Sequence, residues 1–317
     1  MAPTILIIGA TGNTGKGVVR GLPTLLKSSS TKYRVVALTR SLNNPVSKQL
    51  AAEVDGVGWL EKDWTDIDVE WLKSQGVVRV FIAPHNLPHQ YADESNLHLA
   101  LLQAGVKYVV RVSTFAEYIY PTTATHYGRT HWAIENLLSQ PGFADLQWTS
   151  LQPNFFTQYW LGPSVGFIAE YKQTGKQGVL PVLSSEESPA GLIDPEDIGT
   201  FAAHLLALDD ASPHNHGKYV LHGPEDVTGK DIVKLVEDYI GEKVENVTYS
   251  AKDTYVNAVK SMGIPDKLIP GMFTTVEALW EGKCARDYHP ISKEVTALAP
   301  PKTTAAEVLK AMLAGFP

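Results

Sequence analysis

Thr4-Ile5-Leu6-Ile7-Ile8-Gly9-Ala10-Thr11-Gly12-Asn13-Thr14-Gly15 sets an apolar run of strand length directly before three glycines spaced three apart. A backbone that is to hold a pyrophosphate must turn sharply and approach the phosphates without a Cβ in the way. It must also aim the free N–H groups of a helix start at their charge. Gly9 suits the turn, Gly12 the close approach, and Gly15 the packing of helix on strand. Asn13 or Thr14 adds a side-chain donor or cap, and Thr11 completes the candidate cradle. A glycine triplet alone is weak evidence; its place between a strand and a helix gives it weight.

Outward from this stretch, short apolar runs alternate with longer amphipathic ones, the pattern of βαβ units around a parallel sheet. Strands are predicted at Thr4–Ile8, Tyr33–Thr39, Gly58–Leu60, Val77–Ala83, Val106–Ser113 and Leu146–Leu151. Helices fall at Thr14–Lys27, with Pro23 distorting or shortening it, at Val46–Glu53, from Pro88 to Ala104, and at Thr125–Ser139. After Pro153 the texture changes, and residues 153–191 read as an irregular, aromatic-rich lobe. A helix at Pro195–Leu208, a strand at Lys218–Leu221, a helix from Thr228 to Ile240 and a strand at Val244–Tyr249 follow. Helical stretches near Ala251–Met262 and Pro265–Trp280, and a last helix begun by Thr303 or Thr304, close the chain. The expected fold is α/β: a doubly wound parallel sheet with a smaller C-terminal α/β lobe.

Composition narrows the function classes. The chain has 317 residues, 44% hydrophobic and 19% charged, enough apolar material for a substantial core. Its net charge of −7, without a basic cluster, argues against a nucleic-acid binder. Cys284 is the single cysteine, which excludes an intrachain disulfide and a multi-cysteine metal site. The first apolar run ends at Gly9, far short of the roughly 20 residues a bilayer needs, and has no basic leader. A cytoplasmic protein without membrane contact is expected.

The second predicted strand ends Ala37-Leu38-Thr39-Arg40-Ser41. An NAD site is expected to carry Asp or Glu here, accepting from the ribose 2′-hydroxyl, whereas Arg40 offers a cationic fork suited to a 2′-phosphate. NADP(H) is therefore favoured over NAD(H). Asp63 fits two readings equally well, an acceptor for the adenine amino group and a cap for the turn beginning near Thr65.

At this point the sequence resembles the NmrA-like and isoflavone-reductase-like branch of the atypical short-chain dehydrogenases. The matching pieces are Gly9–Gly15, Ala37–Arg40, Val106–Ser113, Gly128–Glu135, Leu151–Phe155, Leu192–Ile198 and Leu221–Glu225. The resemblance implies an NADP(H)-binding Rossmann domain over residues 1–152, with 192–222 returning to it. Residues 153–191 and 223–317 would form the substrate lobe. It implies either of two activities. One is reduction of a carbonyl or conjugated double bond in a small aromatic or polyketide-like metabolite. The other is dinucleotide sensing without turnover, which would call for a regulatory protein partner; a homodimer is compatible with both.

The short-chain dehydrogenases place Tyr-x-x-x-Lys on the helix after strand five; here Tyr127 and His131 share that spacing and the lysine is absent. Tyr127 and His131 are the candidate proton donors, and Ser113 at the end of strand five is a candidate to polarise a carbonyl. Ala83 and Pro84 are expected beside the cofactor ribose, with Pro153, Asn154 and Phe155 against the nicotinamide face. Aromatics including Phe155, Phe156, Tyr159 and Trp160 offer the wall of a pocket for a flat apolar substrate.

Two further patterns are weighed and set aside. Gly162-Pro163-Ser164-Val165-Gly166 matches a hydrolase nucleophile elbow but lacks a clear strand before it. His85, His89 and Asp93 have helical metal-ligand spacing that Pro88 interrupts, so no metal centre is expected.

Overall fold

β1 (Thr4–Ile8) has no solvent face: Ile5 and Ile7 belong to one apolar layer, Leu6 and Ile8 to another. That is the burial of a central strand in a sheet covered on both sides. The computed structural model describes residues 2–314, so the last three positions of the expected lobe lie outside the described residues. The other strands of the main sheet are β2 (Arg34–Thr39), β3 (Val57–Glu61), β4 (Val77–Ile82), β5 (Tyr108–Val112), β6 (Gln147–Pro153) and β8 (Gly217–Leu221). All pair in parallel, in the order β3-β2-β1-β4-β5-β6-β8. The expected doubly wound α/β fold is the observed one. The order in which strands are added reverses between β1 and β4, so the crevice for a ligand opens between the loops that follow them.

One face is covered by α1 (Gly15–Leu25), α2 (Pro45–Glu53), α7 (Pro195–Ala207) and α11 (Lys293–Leu298). The other carries α3 (Val69–Ser74), α4 (Gln90–Ala104) and α5 (His126–Leu138). α1 and α7 meet backbone to backbone. A Cβ at Gly17 would lie 2.2 Å from the Glu196 carbonyl oxygen, and one at Gly199 2.1 Å from that of Thr14. A third apolar cluster joins Phe115, Tyr118 and Tyr127 to α6 (Thr157–Thr174), α8 (Gly229–Ile240), α9 (Lys252–Ser261), α10 (Ile269–Trp280) and α12 (Ala305–Ala314). A two-stranded parallel sheet of β7 (Leu180–Pro181) and β9 (Val247–Thr248) lies beside it. Among the described residues no helix is long and apolar enough to cross a membrane.

The largest departure from expectation is α6. Residues 157–174 form an 18-residue helix where the sequence suggests irregular chain. Gly162, Pro163 and Gly166 interrupt the apolar period, yet Trp160, Leu161, Val165, Phe167 and Ile168 all bury one face. An interior proline costs roughly 3 kcal/mol, and burying each large apolar side chain returns about 1.5–3 kcal/mol. Packing therefore outweighs propensity. Elsewhere Pro23 is accommodated two residues before the end of α1. Pro88 lies in the turn ahead of α4 rather than in its first turn, and Gly105 ends that helix in the left-handed region. The strand expected at Val244–Tyr249 shrinks to two residues, and the short α11 has no expected counterpart.

Candidate functional site

The loop after β1 turns at Gly9, whose φ of 80° favours glycine, and Gly12 N–H closes the turn on the Gly9 carbonyl at 2.9 Å. A Cβ at Gly15 would meet that same oxygen at 2.1 Å, so α1 starts hard against the loop. Beside it opens a cavity of about 530 Å³. It is lined by Gly9, Thr11 and Gly12, by Ala83, Pro84 and His85, and by Thr39, Arg40, Lys62 and Asp63. Arg40 and Lys62 thus bring two cations to the same cavity as the glycine turn. Lys62 is a cleft residue that local sequence pattern does not reveal. It arrives through the β2–β3 register, its N–H donating to the Thr39 carbonyl at 3.0 Å.

Asp63 caps the short turn Trp64–Asp66, accepting from Thr65 N–H at 3.0 Å and Thr65 Oγ1 at 2.9 Å. These bonds, with the Arg40 charge, hold its carboxyl below the usual range. The capping reading is the one observed, on a residue that also lines the cavity. Thr14 is buried and makes no side-chain cap. Asn13 Nδ2 instead donates across the cleft to Tyr159 Oη on α6, at 2.8 Å.

A second cavity, of about 240 Å³, adjoins the loop after β4. Its walls include Ser113, Thr114, Tyr127, Phe155, Trp160 and Met272. Among the described residues its lining holds no Asp, Glu, Lys, Arg or His, so it suits uncharged, flat molecules. Tyr127 lies there on α5, and burial raises its phenol above the usual value, against the opposing hydroxyls of Thr275, Thr125 and Thr114. Pro153 and Phe155 also reach this wall. Asn154 does so with its amide already committed: Nδ2 donates to His222 Nδ1 and the Cys284 carbonyl, and Oδ1 accepts from Phe155 N–H.

Behind the cavity lies a buried polar chain. Glu94 on α4 accepts from Arg111 Nε on β5 at 2.7 Å, and both side chains are fully buried. Arg111 Nη2 lies 2.8 Å from His131 Nδ1. A guanidinium has only donors, so Nδ1 accepts and the imidazole proton sits on Nε2. That nitrogen is 3.2 Å from Asn86 Oδ1, to which it donates. Burial, helped by the Arg111 charge, pushes the His131 pKa down to about 3, so the ring is neutral at physiological pH. One turn earlier, His126 Nε2 donates to the Asn86 carbonyl at 3.0 Å.

This arrangement corrects two expectations. His131 does not line either cavity, and its one proton is spent on Asn86, so it is not aimed at a substrate. Ser113 lines the second cavity, but its Oγ donates to Glu135 Oε1 at 2.9 Å, and a carboxylate only accepts. Ser113 therefore presents lone pairs, not a proton, to the cavity. Asn86, to which sequence reading gives no chemical role, is exposed on the loop after β4 and lines the second cavity. An exposed loop asparagine carries no local signal of function.

The structure places the residues of both patterns set aside on sequence grounds. Ser164 lies mid-helix in α6 and is buried, which rules out a strand–turn–helix elbow. His85, His89 and Asp93 do approach, with ligand atoms within 4.8 Å of one another. However, Leu87 N–H donates to His85 Nδ1 at 3.2 Å, so Nε2 carries the proton and bonds Asp93 Oδ2 at 3.0 Å. These side chains are paired with one another, His89 Nε2 also lying 3.5 Å from Asp93 Oδ2.

With the geometry established, comparison with known proteins places the chain among relatives. The model of the NmrA-like family matches residues 1–307. An NAD(P)H azoreductase from Xenophilus azovorans is 26% identical over 268 residues, 84% of this chain and 84% of that protein. An NADPH-dependent quinone oxidoreductase from Escherichia coli, solved with NADPH, superposes with a TM-score of 0.70 at 21% identity, covering 97% of this chain and 99% of that one. The triphenylmethane reductase of Citrobacter sp., solved with NADP(H), gives 0.69 at 18% identity over the same shares. These two structural likenesses are likenesses of fold.

Proposed function

The chain belongs to the NmrA-like family, and from that premise we propose that it is an NADP(H)-dependent reductase of an uncharged, planar aromatic acceptor. The observation that carries the reading is the adjacency of two unlike cavities at the C-terminal ends of the strands. The loop after β4 serves both, with His85 and Leu87 facing the first and Asn86 the second. The first combines a glycine turn with two cations and fits a phosphorylated dinucleotide; the second is apolar and uncharged. The azo and quinone reductases among the similar proteins carry names that pair a nicotinamide dinucleotide with acceptors of this kind.

When bound, NADPH supplies a hydride to the acceptor. Arg40 and Lys62 hold the 2′-phosphate, and the main-chain amides of the glycine loop hold the pyrophosphate. Ser113, with its proton turned inward, accepts from an amide group of the ligand. Tyr127 remains a phenol across the physiological range and donates a hydrogen bond, rather than acting as a tyrosinate base. The aromatic wall sets the acceptor plane.

The test is NADPH oxidation against matched acceptors: neutral para-quinones and azo compounds, and their sulfonated counterparts. Turnover of the neutral members, with the sulfonated ones at least tenfold slower, is expected because no cation lines the cavity. Tight NADPH binding with no turnover of any acceptor would overturn the enzyme in favour of a dinucleotide sensor.

A further inference from the structure

We infer that Asn86 is the hydrogen-bond donor to the acceptor's reducible heteroatom, and that His131 is the positioning residue that fixes which end of the Asn86 amide faces the cavity. The inference rests on the reductase reading and adds to it the group that meets the developing charge.

An asparagine amide has two faces of opposite character, and an exposed one rotates between them. Here rotation is blocked. His131 Nε2–H occupies Oδ1, and that proton is fixed on Nε2 because Arg111 holds Nδ1. Arg111 is itself oriented by Glu94 through its Nε. With Oδ1 engaged, what Asn86 offers the cavity is its Nδ2–H2 group. The backbone is pinned as well, through the His126 donation to the Asn86 carbonyl. Two imidazoles on α5 thus set one residue of the loop after β4. Both have their pKa values lowered, burial being the largest cause, so both stay neutral donors.

Chemically, the hydride adds two electrons and one proton's mass to the acceptor, and the electron pair of the reduced double bond moves onto its oxygen or nitrogen. A donor already in place there stabilises that charge without reorganising. The anion then takes a proton from water. Asn86 needs no change of protonation state, and neither does His131. This explains how histidine stands where lysine is usual: its role is a directional neutral N–H, not a charge.

The test uses the full chain with NADPH and a neutral quinone, reading the cofactor dissociation constant and the single-turnover hydride-transfer rate separately. Asn86→Ala is expected to slow transfer by about ten- to a hundredfold with NADPH affinity within twofold. His131→Leu, which cannot hold the amide, should slow it about as much. His131→Gln should recover most of the rate, because a side-chain amide can accept from Arg111 and donate to Asn86. A His131→Gln variant as slow as His131→Leu would overturn the positioning role. Asn86→Ala with an unchanged rate, or with its loss confined to NADPH affinity, would overturn the role of Asn86. Wild-type protein that transfers hydride to no acceptor would overturn the reductase reading itself, and this inference with it.

Discussion

Arg40 is exposed at the end of β2 and stands on the wall of the first cavity beside Lys62. Arg40→Ala is predicted to weaken NADPH by roughly 1.5–3 kcal/mol, the range for a lost charge-assisted bond, and to leave NADH nearly unchanged. Calorimetric titration of both cofactors checks this, and equal losses would show that the guanidinium does not read the 2′-phosphate. Arg40 was legible in the sequence because its position follows from one strand and its end. Lys62 was not, because it depends on how β3 registers against β2. His131 shows a different limit. Spacing located it correctly one turn beyond Tyr127, but its chemistry is set by Arg111 on another strand and by a proton that faces Asn86. Proton direction is a property of the network, not of the motif.

α1 and α7 illustrate the same contrast for elements. The sequence marks both helices, since each has clear signals at its start, Gly15 after the cradle and Asp194-Pro195 for α7. It does not mark their contact, where Gly17 and Gly199 let the backbones touch. Gly199→Ala forces a Cβ to within 2.1 Å of the Thr14 carbonyl, at the start of α1. We predict a stability loss of about 1–3 kcal/mol, the usual range for overpacking, and a weaker grip on NADPH although Gly199 lines neither cavity. A lowered thermal midpoint with undiminished NADPH affinity would show that the helix start does not position the cradle. α6 is the element the sequence hid, because Pro163 and two glycines erase the period that its buried face would otherwise show. Long-range packing, absent from any local window, decides it.

For the whole molecule, the doubly wound sheet was readable because each βα unit is a local pattern; of the lobe, the helices α8, α9, α10 and α12 were readable one by one, but not their shared core, assembled from segments distant in sequence such as Phe115, Trp160, Val236 and Leu309. The polar chain behind the sheet adds a global pH dependence. The folded His131 stays neutral down to about pH 3, whereas in the unfolded chain it protonates near 6.5. Burial, the largest single effect, opposes charge on Glu94 and Glu135, but the Arg111 charge together with the hydrogen bonds each accepts outweighs it, so both carboxyls titrate lower in the fold than when unfolded. In each case the unfolded chain binds more protons, so stability is full above pH 6.5 and declines as pH falls. His131 alone contributes up to about 1.4 kcal/mol per pH unit below 6.5. Thermal unfolding between pH 7.5 and 5 should show this decline, and His131→Gln should make it shallower; an identical slope in both would remove His131 as a source. The central claim is that one phosphorylated dinucleotide lies along the glycine turn with its 2′-phosphate between Arg40 and Lys62. Calorimetric titration of the wild-type chain tests it most directly: NADPH is predicted to bind in the micromolar range and at least tenfold tighter than NADH, whereas no heat from either cofactor at millimolar concentration would contradict it.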